Sequence, residues 1–447
     1  MKKLRLVPAL LTAVALGACS TDSLLNVLPV DEISDQIAIV DSKSAQAALM
    51  GAYSALQSDG IYGLDYVVFT ELLTDNVEHT GTYGTWADGD ALNFRPQNGT
   101  FDEMWTALYD GINRANLLIV KVPEIEGIDP SEADEILGQA YALRALQYFD
   151  LVRAWGDVPL ILVPPANLDE AAQVTRDPAS AVYTQIEADL NQAQALLSGV
   201  TNDDRTFVTP GFITALKAKV ALYQGDWAAA ATNAQMIVGN DDYALEPNVR
   251  SAFMANGDPS SEDIFRVAFT VIDYCWQGYY YQYDGRFETG ATQTIYDLFD
   301  PADLRFSLNF SGPRSDGIEV IKFPTPIGAE NIHVIRYADV ILILAEALAE
   351  QSDLGNAVGY LNQVRTRAEL PGYVFGTDLT TKQEVLDAIF LERRLELAFE
   401  GEYWFDLIRT GRAADALGSR WEAHKALWPI PQGEMDTAPN LTQNPGY

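Results

Sequence analysis

The sequence predicts a mainly α-helical protein: a tetratricopeptide-like scaffold with long loop-rich insertions and a few short strands. Three observations carry that expectation. Apolar residues recur at helical spacing through most of the chain beyond residue 40. Two separate segments repeat one helix–turn–helix arrangement. Two stretches, near 75–98 and 271–330, break the helical pattern and gather aromatic residues with Gly, Asp and Thr.

The first helix is expected at 44–56, Ala-rich and amphipathic. The next, 101–122, sets Met104, Trp105, Leu108, Ile112, Ala115 and Ile119 on one face. Ser131 with Asp134 resembles a capping box and opens a helix that runs to Trp155, where Gly156 stops it. Further helices are expected at 179–197, 209–224, 227–238, 331–350, 354–367 and 382–408, with a short strand at 263–270. The repeated unit reads first as 218–224, a Gly225-Asp226 turn and 227–230. It reads again as 345–350, a Ser352-Asp353 turn and 354–357. Small residues three positions into each second helix let paired helices approach closely, as in stacked helical repeats.

The N-terminus addresses where the chain goes. Met1-Lys2-Lys3-Leu4-Arg5 is a cationic start, and an apolar run follows from Leu6 to Leu16. That layout is an export signal, too short for a membrane span. It closes on Leu16-Gly17-Ala18-Cys19, which resembles a bacterial lipobox whose cysteine carries lipid. The expected organisation is a lipoprotein signal at 1–18, a lipidated tether at 19–40, and one helical domain over 41–447.

Composition narrows the function. With 29 Lys+Arg against 63 Asp+Glu, the formal charge is −34, and loss of residues 1–18 takes away Lys2, Lys3 and Arg5 and moves it to −37. Such a surface repels phosphate backbones, which excludes nucleic-acid binding through a basic face. Two cysteines, Cys19 and Cys275, and three histidines cannot build a disulfide framework or a common zinc site. No Gly-x-Ser-x-Gly elbow, His-Glu-x-x-His, phosphate loop or dinucleotide glycine pattern is present. The expectation is no cofactor, no metal and no enzyme activity. A glycoside hydrolase, which needs only two carboxylates, stays open as an alternative of another class. A tetratricopeptide scaffold with protein partners alone is a third.

The aromatic insertions are the candidate binding elements, because loops on a rigid scaffold carry function. Tyr83 and Trp86 lie in a Gly/Thr/Asp-rich stretch with no period that would bury them. The run 276–283 holds Trp276, Tyr279, Tyr280, Tyr281 and Tyr283, and alternation cannot hide all five. Such rings suit sugars, whose C–H faces desolvate against them. Asp75 and Asn76 are candidate polar contacts, or caps of a preceding helix. Glu392, Glu396 and Glu400 share one helical face beside Arg393 and Arg394, and read as structural ion pairs. Trp105, Trp155 and Trp227 read as core, and His79, His333 and His424 as scattered hydrogen-bonding residues.

Several segments together resemble the SusD/RagB family of outer-membrane nutrient-binding lipoproteins. The most specific is Leu391-Glu-Arg-Arg-Leu-Glu-Leu-Ala-Phe-Glu400-Gly-Glu-Tyr-Trp404-Phe-Asp-Leu-Ile-Arg409. Ile335-Arg-Tyr-Ala-Asp339, Leu361-Asn-Gln-Val-Arg-Thr-Arg367, Trp428-Pro-Ile-Pro431, Asn444-Pro-Gly-Tyr447, Leu108-Tyr-Asp-Gly-Ile-Asn-Arg-Ala-Asn116 and Ala142-Leu-Arg-Ala-Leu-Gln-Tyr-Phe149 support it. One departure is Tyr403, where the family more often has a basic or polar residue. The resemblance implies an outer-membrane, lipid-anchored protein facing the cell exterior. It implies capture of oligosaccharide on aromatics of the two insertions and delivery to a partner TonB-dependent (SusC-like) transporter. Peptide binding is the alternative within the family.

Overall fold

The computed structural model describes residues 39–253 and 259–447. The expected signal at 1–18, Cys19 and the tether up to residue 38 lie outside the described residues. From Ile39 the chain enters α1 (Ser42–Ala55), capped by Asp41: its carboxylate accepts from the Ser44 N–H while the Ser44 hydroxyl accepts from the Asp41 N–H. Then follow α2 (Asp65–Leu72), β1 (Val77–His79), α3 (Gly84–Asp90), α4 (Gly99–Lys121), α5 (Pro130–Trp155), the single turn α6 (Leu168–Ala171), α7 (Ala179–Leu196), α8 (Pro210–Gln224) and α9 (Trp227–Val238). The second half runs β2 (Asp263–Val267), α10 (Gln277–Tyr281), β3 (Thr289–Ala291), α11 (Gln293–Leu298), α12 (Leu304–Asn309), β4 (Phe310–Arg314), β5 (Gly317–Val320) and β6 (Ile332–Arg336). It ends with α13 (Tyr337–Glu350), α14 (Leu354–Arg367), α15 (Lys382–Glu396), α16 (Tyr403–Arg409), α17 (Ala413–Leu417) and α18 (Gln432–Thr437).

The protein is mainly helical, as its patterning predicts. Helices stack in a run: α4 on α5, α5 on α7, α8 on α9, α9 on α13, and α13 on α14 and α15. Both expected helix–turn–helix units form. Gly225 at φ 71° ends α8, and its αL backbone is one that glycine adopts without a Cβ penalty. Ala230 and Ala357 are fully buried, so the small positions do seat one helix against the next.

Four expectations change. Asp129, not Ser131, caps α5, accepting from the N–H groups of Ser131 and Glu132. The expected helix 331–350 begins only at Tyr337, because Ile332–Arg336 forms β6 and pairs antiparallel with β2. Its β-branched apolar residues fit a covered strand equally well. The expected helix 382–408 breaks after Glu396: Phe399 and Gly401 sit at φ 69° and 81°. A Cβ on Gly401 would meet the α2 backbone at Tyr66 and Val67 at 3.1 Å, so α2 can approach only a glycine there. Trp105 and Trp155 are buried, whereas Trp227 is only partly covered at the edge of the core.

Ion pairs fill much of the interior beneath the second half. Glu396 accepts from Arg336 at 2.6 Å, Arg305 at 3.0 Å and Arg367. Glu400 leaves the helical face it was expected to share, yet joins the same network through Arg336 and Lys322. Burial opposes ionisation of Glu400, but Arg336 and Lys322 outweigh it and hold the carboxyl at about 2. Arg393 pairs with Asp339 and Asp406 in a second network. These charges position packed elements, and Arg336, Asp339 and Glu400 also border a small internal cavity. Tyr403, the departure from the family pattern, is buried with Arg394 stacked over its ring at 4.4 Å.

Candidate aromatic binding site

The two insertions meet through a sheet. Strands lie in the order β1-β3-β5-β4, and β1 pairs antiparallel with β3, setting His79 opposite Thr289 and Val77 opposite Ala291. That register brings the 80–83 turn of the first insertion against α10 of the second. Neither insertion is a plain loop, since β1 and α3 lie in one and α10 to α12 with β3 to β5 in the other.

A contiguous group of rings results. Tyr83 and Tyr280 approach at 6.0 Å between centroids, and their hydroxyls at 3.4 Å. Trp86 lies under both, 6.1 Å from Tyr83 and 5.1 Å from Tyr280. Tyr280 continues to Tyr279 at 5.5 Å and to Trp276 at 6.4 Å, and Trp276 stacks edge-on with Tyr274 at 4.7 Å. Tyr83 is 36% exposed, and Trp276, Tyr279 and Tyr280 are half-buried. A patch of partly exposed rings on a rigid base presents apolar faces at little conformational cost.

Glu288 holds the patch in shape. Its buried carboxylate accepts from the backbone N–H groups of Thr82 and Tyr83, from His79 Nε2 at 3.1 Å and from Arg286 Nε at 2.6 Å. Arg286 in turn lies 3.9 Å over the Tyr83 ring. Desolvation works against the Glu288 charge, but Arg286, the Tyr83 N–H and His79 prevail and hold its pKa below the ordinary glutamate value. A Cβ on Gly81 would run into this carboxylate, so the tight turn needs glycine there.

The remaining expected contacts sit elsewhere. Trp86 is buried on α3 against Phe69, so it is the floor of the patch and not its face. Tyr281 is fully buried, parallel to Phe323 and edge-on to Phe399, because α10 turns its side chain into the core. Tyr283 packs on Phe287 at 4.3 Å, donates to the Gly317 carbonyl at 2.7 Å and carries Arg314 over its ring. Asn76 is buried, donating to Glu71 at 3.1 Å and accepting from Arg394 at 2.9 Å, while Asp75 pairs with Arg394 at 2.9 Å. Both serve the scaffold. The sequence did not single out Tyr274, Arg286 or Glu288. Tyr274 lies two residues before the aromatic run, whereas Glu288 gives little local signal because the turn it holds, at Thr82 and Tyr83, is over 200 residues away.

Cys275 is buried, and burial pushes its thiol up. Among the described residues no His, Cys, Asp and Glu group could hold a metal, and no helix is long and apolar enough to cross a membrane. A separate cleft of about 720 Å³, lined by Trp105, Tyr109, Ile161 and Leu441, shares no residue with the patch.

Comparison with known proteins agrees with this architecture. Residues 325–447 match the SusD family, and residues 26–222 match a family described as starch-binding and associating with the outer membrane. A SusD-like protein of Formosa agariphila is 29% identical over 100% of both chains. A solved laminarin-binding SusD-like protein is 29% identical, with 92% of this chain and 100% of that one covered at a TM-score of 0.79. A putative sugar-binding protein of Bacteroides vulgatus is 27% identical, with 92% and 99% covered at a TM-score of 0.80. The mainly helical fold and the order of motifs along the chain thus agree with these matches, and the chain belongs to the SusD/RagB family.

Proposed function

We propose that this protein captures glycan at the cell surface on the patch formed by Tyr83, Trp276, Tyr279 and Tyr280, and passes it to a TonB-dependent outer-membrane transporter. The single observation that carries the reading is the meeting of two insertions, distant in sequence, to expose one continuous row of rings. The laminarin-binding and putative sugar-binding relatives support a saccharide over a peptide. Anchoring would come from lipid on Cys19, and the shallow patch would bind with modest affinity. Binding requires no covalent step: the rings desolvate sugar faces, and Glu288 keeps them in register.

Two measurements test the reading. The chain from residue 20 onward should be retarded in gels containing laminarin or a related neutral glucan, with no new reducing ends released. The full lipidated protein should co-purify from outer membranes with a large β-barrel. Release of reducing ends would favour a hydrolase, and retention by oligopeptides alone would favour the peptide reading.

A further inference from the structure

The cleft of about 720 Å³ lies between α4 on one side and, on the other, the 159–174 connection and the stretch from α18 to Leu441. Trp105, Tyr109 and Ile112 line it from one face of α4, and the first two rings stand 5.0 Å apart. Ile161, Val174 and Leu441 line it from the opposite side.

The two walls are tied at fixed points and stay apart between them. The Tyr109 hydroxyl donates to the Pro159 carbonyl at 2.9 Å. Asn116 Nδ2 and the Tyr148 hydroxyl both donate to the Ile161 carbonyl, at 2.7 and 2.9 Å. Arg176 donates to the Thr442 carbonyl at 2.9 Å, joining the connection to the C-terminal stretch. The Gln432 N–H donates to the Pro96 carbonyl at 2.8 Å, which sets α18 beside the start of α4. Walls built in advance spare a ligand the cost of ordering them. The volume is that of a small-molecule site, and such sites are concave, largely apolar and pre-formed.

The lining also selects by charge. Among the described residues that line the cleft there is no Lys, Arg or His; its ionisable acids are Asp110, Asp169 and Glu434. Asp110 is paired with Arg114 at 2.8 Å. Burial, and after it Asp102, raises the Glu434 carboxyl against the Trp105 hydrogen bond, as expected where water is partly excluded. An anion entering here loses hydration and meets no counter-ion. One wall group calls for a hydrogen-bond donor instead. Asn113, on α4, has a buried Oδ1 with no partner, and a carboxamide oxygen is an acceptor only.

We propose that this cleft is a second binding site, which takes an uncharged, largely apolar small molecule carrying a hydroxyl group. The apolar body lies against Trp105, Tyr109 and Leu441, and the hydroxyl donates to Asn113 Oδ1. The inference goes beyond glycan capture and does not depend on what the rings bind.

The test titrates the chain from residue 20 onward with adamantanemethanol and with adamantanecarboxylate, followed by ligand-observed NMR. The two probes share one apolar body and differ in charge. The alcohol should bind saturably with a Kd below about 1 mM, and the carboxylate at least about tenfold more weakly. Thr106→Trp and Thr437→Trp, exposed positions on opposite walls, should each fill the cleft and weaken the alcohol at least about tenfold. Standing on separate elements, they keep the test intact should one of them lose its fold. Asn113→Ala should weaken the alcohol about threefold to tenfold, the loss of one hydrogen bond. Tyr83→Ala, on the ring patch, should leave alcohol binding as in the parent. No saturable binding of the alcohol, equal binding of the carboxylate, or parental affinity in a folded Trp variant or in Asn113→Ala overturns the inference. Weakened alcohol binding in Tyr83→Ala overturns it as well, by placing the probe on the rings.

Discussion

Replacing Glu288 by alanine should detach the ligand face without unfolding the protein. The Glu288 carboxylate is buried and takes two backbone N–H bonds from the 80–83 turn, besides those from His79 and Arg286. Hydrogen bonds to a charged group contribute about 1.5 kcal/mol each after exchange with water, so losing the two backbone bonds releases about 3 kcal/mol of local restraint. That figure is a ceiling, because Thr82 and Tyr83 are exposed enough for water to replace part of each bond. A turn loosened to that extent spends most of its time with Tyr83 displaced, and apparent affinity falls with the populated fraction. Glycan affinity should therefore drop about tenfold to a hundredfold. The melting temperature should move by less than about 2 °C, because opening is confined to a few residues. Gly81→Ala, whose new methyl collides with the same carboxylate, should act in the same direction. The assay is titration calorimetry with a bound glucan, paired with amide exchange across 79–83. Wild-type affinity in Glu288→Ala, with exchange at 79–83 raised as expected, would refute the role assigned to this carboxylate.

Three further outcomes follow from the same structure. Glu396→Ala strips a buried carboxylate from Arg305, Arg336 and Arg367, and should cost about 3–5 kcal/mol in chemical denaturation with no direct effect on the rings. Glu400 is depressed from 4.5 to about 2, so its contribution to stability is fully present above about 4.5 and is lost as pH falls through about 2. Acid titration of the fold should show destabilisation beginning below about 4.5, and Glu400→Gln should flatten that region of the curve. Cys19→Ala should move the protein from the membrane to the soluble fraction on cell fractionation, if the Leu16-Gly17-Ala18-Cys19 motif directs lipidation.

The helical framework was legible because its signal is local. Periodicity and caps placed α7, α8, α9 and α14 within a residue or so of their observed ends. What local pattern could not convey was competition from distant partners. Residues 332–336 alternate as plausibly in a strand as in a helix, and only β2 decides between them. The break at 397–402 depends on α2 crowding Gly401, a contact across more than 300 residues. At the site, sequence located the two aromatic regions, and the structure brings rings of both together. It could not say which rings point outward. Tyr280 and Tyr281 are neighbours in sequence, yet α10 sends one to the patch and the other into the core beside Phe323. Trp86 lost its expected role for a related reason: a seven-residue helix, too short to announce itself by period, turns it inward against Phe69. Asp75 and Asn76 were recognisable as polar residues beside the first insertion. Their partner Arg394 lies more than 300 positions on, and nothing at 75–76 points to it.

The central claim is that the rings joining the two insertions hold the glycan. It is tested most directly by calorimetric titration of the chain from residue 20 onward, and of its Tyr83→Ala and Tyr280→Ala variants, with laminarin oligosaccharides. Each variant keeps the buried Trp86 and the Glu288 post and removes a ring of the exposed face. The account predicts saturable binding by the parent, at least about a tenfold loss in each variant, and unchanged unfolding profiles. Parental affinity retained in both variants would place the ligand elsewhere and contradict it.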